Sequence, residues 1–206
     1  MSGSDRHPAG RSNPFDPGYF DTTELRDFGF AAVGENVKIA RNCTIIGLQN
    51  IRIGNDVRID GQVVIAAHTG SLVLGDHIHI GGSCYLGCAG GIELADFAGL
   101  SQGVRIYSAT DDYSGGALTN PTVPHGYLKL KVGPVVLGRH AIVGSGSVIL
   151  PKIAVGEGVA VGALSLVTKS LPDWGIYAGT PARRIHSRSK ELLAFEARLL
   201  AERTVS

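Results

Sequence analysis

The stretch "LGRHAIVGSGSVILPKIAVGEGVAVGALSLV", Leu137 to Val167, carries an apolar residue at every sixth position. These apolar residues are Leu137, Val143, Ile149, Val155, Val161 and Val167. A glycine directly follows four of the six. Six is not a multiple of the 3.6-residue helical period, and each glycine disfavours a helix. The stretch therefore predicts short strands joined by tight corners.

The same register continues upstream in groups of three residues, six apart within a group. Two or three extra residues separate the groups, which are Val33, Ile39 and Ile45, then Ile53, Ile59 and Ile65, then Leu74, Ile80 and Leu86, then Leu94, Leu100 and Ile106. Three hexapeptides per group predict one turn of a three-sided coil, whose apolar side chains point to the axis and stack on those of the next turn. We therefore expect an all-β fold, a parallel β-helix of about six coils. Alternating sandwich strands are a possible alternative, but they do not predict strict sixes.

Composition limits the function classes. A formal net charge of +1 over 206 residues argues against a nucleic-acid-binding surface. The longest apolar runs are far shorter than the ~18 residues of a membrane helix, so we expect no membrane span. Three cysteines without a C-x-x-C motif (Cys43, Cys84 and Cys88) indicate a reduced, cytoplasmic setting.

The two ends of the chain do not repeat. Residues 1–20 are predicted to form a flexible arm, and "DTTELRDFG", Asp21 to Gly29, a short capped helix. The repeating domain is expected over residues 21–186 and a closing helix over 187–206. Four apolar residues lie along one face of that helix: Leu192, Phe195, Leu199 and Leu200.

The register stops at a predicted loop insertion, residues 107–134, which opens with the polar cluster "SATDDYSGG". Asp111, Asp112, Tyr113 and Ser114 form a dense polar cluster immediately after a strand, which favours a functional site, although aspartates also cap ordinary turns. The sequence therefore predicts that the insertion carries the chemistry.

The hexapeptides, the insertion and "SLVTKSLPDWGIYAGTPARRI" together resemble the left-handed β-helix acyltransferases, in particular the galactoside and maltose acetyltransferase-like group. The resemblance covers Val33 to Ile185. It implies a left-handed coil, a homotrimer with active sites between subunits, and acetyl-CoA as donor. Residue by residue, it places Ser145, Ala163, Thr168 and Lys169 at the pantetheine arm and its phosphates. It places Arg183 at the nucleotide end of the donor, although Lys169 and Arg183 also fit solvated surface charges.

The expected catalytic base is missing. Galactoside-type relatives have a histidine in a Ser-x-Thr-Gly-His context, and here Asp112 takes its place in Ser108-Ala109-Thr110-Asp111-Asp112. Three explanations stay open. Asp112 or Asp111 acts as base or orients an amine, His125 enters from the loop, or the acceptor is a sugar amine that needs less base. We expect the acceptor to contact Tyr85, Gly87, Tyr113 and Ser114.

These features predict an acetyl-CoA-dependent acetyltransferase acting on a sugar, either a nucleotide-linked amino sugar or an envelope polysaccharide precursor. The alternatives are a β-helical, metal-dependent hydratase resembling carbonic anhydrase and a non-catalytic assembly protein. His68, His77 and His79 raise the metal alternative, but we interpret them as surface or interface residues and expect no metal. His140 is a minor candidate near the thioester.

Overall fold

The computed structural model describes residues 13–203, and its architecture is a parallel β-helix with three faces. Face 1 consists of β2 (Ala32–Val33), β5 (Ile51–Ile53), β8 (Leu72–Leu74), β11 (Ile92–Leu94), β16 (Val135–Leu137) and β19 (Ala154–Val155). Face 2 consists of β3 (Lys38–Ala40), β6 (Arg58–Ile59), β9 (His79–Ile80), β12 (Gly99–Leu100), β17 (Ile142–Val143), β20 (Ala160–Val161) and β22 (Gly175–Ala178). Face 3 consists of β4 (Thr44–Ile46), β7 (Val64–Ala66), β10 (Tyr85–Gly87), β13 (Arg105–Tyr107), β18 (Val148–Ile149) and β21 (Leu166–Val167).

The hexapeptide register is confirmed by the strand pairing. On face 2, Ile39, Ile59 and Ile80 pair in order, and the column continues through Leu100, Val143 and Val161. On face 3 the column runs through Ile45, Ile65, Leu86, Ile106, Ile149 and Val167. Apart from Ile45 at the first turn, which is partly buried, these side chains are buried, so the core is one continuous stack along the axis.

The corner between faces 1 and 2 carries a second column, which the sequence did not reveal. Residues with left-handed backbone follow one another there, among them Asp56, His77, Phe97 and His140. The rings of His77 and Phe97 stack with centroids 4.5 Å apart, and those of Phe97 and His140 with centroids 5.0 Å apart. The ring contacts stabilise a left-handed backbone conformation at this corner, which residues other than glycine adopt at some cost in free energy.

The insertion leaves the coil and returns to it at almost one point. The backbone N–H of Gly133 donates a 2.9 Å hydrogen bond to the carbonyl of Ser108. A short antiparallel pair, β14 (Ala109–Thr110) and β15 (Lys131–Val132), begins and ends the insertion. The parallel pairing of β11 with β16 then continues the coil as if no residues had intervened.

Both predicted helices are present. Helix α1 (Thr22–Arg26) begins with a capping box between Asp21 and Glu24. Two antiparallel strands, β1 (Tyr19–Phe20) and β23 (Arg183–Ser187), form the edges of face 2. The predicted arm lies mostly outside the described residues, as do residues 204–206 of the closing helix. Within residues 13–203, no helix has the length and apolar character needed to cross a bilayer.

Helix α2 (Leu192–Arg203) docks differently from the expected apolar face. Its most buried side chain is Glu196, which contacts Arg139 and lies 2.9 Å from Nε2 of His140. Phe195, in contrast, is 69% exposed. The helix is therefore held by a buried carboxylate, while Leu192 and Leu199 line a pocket together with Phe97 and His140.

Candidate active site

A cavity of about 640 Å³ opens on the outside of face 3, beside the insertion. Its apolar wall comes from the last coils, through Val148, Leu150, Pro151 and Leu166. Its polar side comes from β13, the insertion and two coil corners, through Arg105, Tyr107, Thr110, Asp111, Tyr113, Lys131, Lys152 and Thr168. The insertion therefore forms one wall of a pocket whose other wall is the coil itself.

The two neighbouring aspartates face different surroundings. Asp111 lines the cavity and is half-buried. The carboxylate of Asp112 turns away, and its Oδ1 accepts hydrogen bonds from the Ser114 backbone N–H (3.1 Å) and hydroxyl (2.8 Å). These hydrogen bonds from Ser114 hold the pKa of Asp112 below its usual range. Asp112 therefore caps the loop, while Asp111 is the carboxylate that lines the cavity.

The predicted acceptor residues separate into two groups. Tyr113 lines the cavity directly, and Ser114 bonds to Asp112 beside it. Tyr85 lies one strand away, where its ring contacts Tyr107 with centroids 5.3 Å apart. Gly87 lies beside Tyr85, whose ring would be 3.0 Å from a Cβ at that glycine. Tyr85 and Gly87 therefore support the cavity wall from the adjacent strand.

A single chain does not bring the predicted donor residues together. Thr168 lines the cavity, and Lys169 follows it on the exposed corner. Ser145 and Ala163 are exposed at the opposite edge of face 3, where the Ser145 hydroxyl lies 3.4 Å from Oε1 of Gln102. Arg183 begins β23 and donates to its neighbour, the Ala182 carbonyl.

The histidines that the structure describes lie outside the cavity lining. His125 is exposed in a single 3₁₀ turn of the insertion, outside the cavity lining. His68 is exposed, and Nε2 of His79 lies 2.9 Å from Oδ2 of Asp60. His77 belongs to the corner column. His140 joins that column to Glu196, on a different corner from the cavity. In the described part of the chain, no group of three or more His, Cys, Asp or Glu side chains is placed to hold a metal.

Sequence reasoning missed the cations of the cavity. Arg105, Lys131 and Lys152 line it, from β13, from β15 and from the corner after β18. The repeat register contained the signal for one of them. Among the outward positions of face 3, Arg105 is the only charged residue.

Comparison with known proteins agrees with this geometry. No family model matches the chain. It is 41% identical over 179 residues to the Escherichia coli dTDP-4-amino-4,6-dideoxy-D-glucose acyltransferase, which covers 87% of this chain and 93% of that protein. It is 27% identical to the putative colanic acid biosynthesis acetyltransferase WcaF of the same species over 70% of this chain and 73% of WcaF.

The solved structures give the same result. AntD, an N-acyltransferase from Bacillus cereus solved with dTDP and 3-hydroxybutyryl-CoA, matches with a TM-score of 0.87. The match has 40% identity and covers 91% of this chain and 98% of AntD. This likeness confirms the predicted left-handed coil, the enzyme class and the dependence on an acyl-CoA donor. The chain therefore belongs to the left-handed β-helix acyltransferases, the hexapeptide-repeat family of sugar acyltransferases.

Proposed function

We propose that this enzyme transfers an acyl group from acyl-CoA to the amine of a nucleotide-linked amino sugar. The observation that carries the proposal is the cavity lining, in which a carboxylate, Asp111, is present and no histidine. A sugar hydroxyl needs a base to remove its proton, whereas a neutral amine is a nucleophile without one. A carboxylate suits the ammonium form, which it binds by charge-assisted hydrogen bonds.

The reaction balances without another reagent. The bound ammonium loses one proton to solvent, and the neutral nitrogen attacks the thioester carbonyl carbon. The carbon–sulfur bond breaks as the amide bond forms, and the second amine proton goes to the departing CoA thiolate. In this scheme Asp111 holds the amine against the carbonyl, which is a positioning contribution. The apolar wall of Val148, Leu150 and Leu166 suits the acyl and thioester end of the donor.

The relatives support the same substrate class. AntD has been solved with dTDP-4-amino-4,6-dideoxyglucose and coenzyme A. Its solved variants change one serine and one aspartate, ten positions apart. In the present sequence one serine–aspartate pair has that spacing, Ser101 and Asp111. Asp111 is the cavity carboxylate, so the comparison favours it over Asp112 as the amine-binding residue.

We also propose that a homotrimer completes the active site. The outward side of face 3 is apolar over most of its length, with Ile46 half-exposed and Val64, Tyr85 and Leu166 partly exposed in the single chain. Ser101 precedes β13 and Asp111 follows it, so the two lie towards opposite ends of that strand. A second copy packed on face 3 would bring the Ser101 edge of one chain to the Asp111 edge of another. Light scattering of the purified protein tests this: a monomer contradicts the proposal.

A cytoplasmic location follows as part of the same proposal, since acyl-CoA and nucleotide sugars are cytoplasmic metabolites. The three cysteines of the chain form no disulfide, as expected in a reducing compartment. The similarity to WcaF favours a role in the synthesis of an envelope polysaccharide precursor.

The test is an acceptor panel with release of CoA as readout. The panel contains dTDP-4-amino-4,6-dideoxyglucose, the matching nucleotide sugar with a 4-hydroxyl, and a simple galactoside, each with acetyl-CoA and with 3-hydroxybutyryl-CoA. We expect turnover with the amino sugar alone. Turnover with the hydroxyl acceptors and none with the amine would refute the proposal. A thermal shift with zinc but none with CoA would favour the hydratase alternative instead.

A further inference from the structure

Arg105 is the only charged residue among the outward strand positions of face 3. It points outward from β13, between Tyr85 on β10 and Val148 on β18 in the paired register. Within residues 13–203, its guanidinium makes no hydrogen bond or ion pair. Several other arginines pair with carboxylates, as in the Arg26–Glu35 and Arg41–Glu24 pairs, whereas the Arg105 side chain lines a cavity. An unpaired guanidinium beside an aromatic and an apolar neighbour indicates an anionic partner that comes from outside the chain.

Two lysines from separate elements converge on the same cavity. Lys131 comes from β15 at the end of the insertion, and Lys152 from the coil corner beside it. The stem of Lys152 lies across Gly133, where an added Cβ would clash with Cγ of the lysine. Gly133 therefore leaves room for Lys152 to reach the cavity. In the described part of the chain, neither lysine has an ion-pair partner, and Asp111 is the one carboxylate of the lining.

Three cations and one carboxylate in one pocket match a particular ligand chemistry. A diphosphate presents two adjacent anionic groups, and a guanidinium binds phosphate oxygens with two parallel N–H donors. Both substrates of the proposed reaction contain a diphosphate, one in the nucleotide sugar and one in CoA. Arg105 lies on β13, the strand that leads to Asp111, and Lys131 pairs with Thr110, the residue before Asp111. Their position beside the proposed amine-binding residue favours the acceptor as the source.

We propose that Arg105, assisted by Lys131 and Lys152, binds the diphosphate of the acceptor and makes the enzyme select nucleotide-linked over free amino sugars. The inference rests on the proposed function, because it assigns a second anchor to the same acceptor. Asp111 then holds the amine, and Arg105 fixes the distance of that amine from the diphosphate. Selection for nucleotide-linked sugars follows, since a free sugar meets Asp111 alone.

The experiment compares Arg105→Gln and Arg105→Lys with Arg52→Gln. Arg52 is the matched control, an exposed arginine that points outward from β5 on face 1. We measure KM for dTDP-4-amino-4,6-dideoxyglucose, KM for acetyl-CoA, kcat/KM for the free amino sugar, and binding of dTDP by calorimetry. Arg105→Gln is expected to raise the acceptor KM and the dTDP dissociation constant about 10- to 100-fold. For Arg105→Lys, both values should lie between those of the wild type and Arg105→Gln, because lysine keeps the positive charge and loses the two parallel N–H donors of the guanidinium. Acetyl-CoA KM and free-sugar kcat/KM should not change.

Three results would overturn the inference. An unchanged acceptor KM and dTDP affinity in Arg105→Gln would show that Arg105 binds no acceptor phosphate. If Arg105→Gln raised the KM for acetyl-CoA and left the acceptor KM unchanged, Arg105 would bind the diphosphate of CoA. Loss of the oligomer, with both KM values unaltered per assembled enzyme, would make Arg105 an interface residue. The dTDP titration does not depend on turnover, so it tests Arg105 even if the wild-type enzyme acylates no amino sugar, the result that defeats the proposed function itself.

Discussion

Replacing Asp111 and Asp112 one at a time separates the carboxylate that meets the substrate from the one that shapes the loop. Asp111→Asn keeps the size of the side chain and removes its charge at the cavity wall. Asp112→Asn keeps Oδ1 but removes the negative charge and the Oδ2 acceptor, so it weakens the hydrogen bonds from Ser114 and leaves the cavity lining unchanged. The two variants differ by one position in sequence and by their entire surroundings in the structure.

The size of the Asp111 effect follows from its contacts. A hydrogen bond to a charged group contributes about 1.5–3 kcal/mol, and about 1.4 kcal/mol is a factor of ten. Asp111 is half-buried and its cavity opens to solvent, so the lower half of that range applies. We therefore expect kcat/KM for the amino sugar to fall about 10- to 40-fold. Because Asp111 makes no hydrogen bond to the rest of the described chain, the melting temperature should not change.

The assay follows CoA release at several acceptor concentrations, with Ser114→Ala as the companion of Asp112→Asn. If Asp112 acts only through the loop, these two variants lose activity to a similar and smaller extent than Asp111→Asn. The reasoning is refuted if Asp112→Asn abolishes turnover while Ser114→Ala and Asp111→Asn leave it intact. That outcome would restore Asp112 as the catalytic residue, in the position of the missing family histidine.

Further expectations concern stability and the ends of the coil. Leu86→Ala should lower the free energy of unfolding by about 2–5 kcal/mol in urea titrations, because Leu86 is fully buried between Ile65 and Ile106. The outward-facing Val73→Ala should change it by far less, and equal losses would contradict the core assignment. Glu196→Gln should speed hydrogen exchange in α2 without lowering the melting temperature of the coil, since it weakens the contacts with Arg139 and His140. Burial alone would raise the pKa of Asp60, but hydrogen bonds from His79, Arg58 and Tyr19 outweigh it and lower the pKa below its ordinary 3.8. The stabilisation is therefore present above that value and lost as the pH falls through the lowered pKa, so exchange at β1 should increase in acid and Asp60→Asn should remove this pH dependence. Burial raises the pKa of the Cys88 thiol to about 12, so it should resist thiol reagents at pH 8 until the protein unfolds, and rapid labelling would contradict its position in the core.

The repeat allowed the coil to be predicted residue by residue, because a period of six fixes which side chains face the axis. Ile39, Ile59 and Ile80 could be aligned on one face before any coordinates. The same periodicity says nothing about which corner residues stack on each other. The rings of His77, Phe97 and His140 therefore appeared only in the structure.

The site was predicted less completely. The break in register located the insertion, and composition drew attention to Asp111 and Asp112. Only the fold of the loop shows which of the two faces the cavity, because a one-residue shift reverses the direction of a side chain in an extended segment. Glu196 was missed because a charged residue on a helix is ordinarily solvated, and its partners Arg139 and His140 lie more than fifty positions away.

The hydrogen bond between Gly133 and Ser108 bears on how such enzymes diversify. Because the two ends of the insertion meet at one point of the coil, its length and sequence can change without moving any turn of the scaffold. One wall of the cavity can then change without altering the other, because the insertion carries Asp111 and Tyr113 while the coil carries the apolar residues. Grafting the segment between Ser108 and Gly133 from one family member onto another should accordingly carry acceptor preference with it and leave the choice of acyl donor behind.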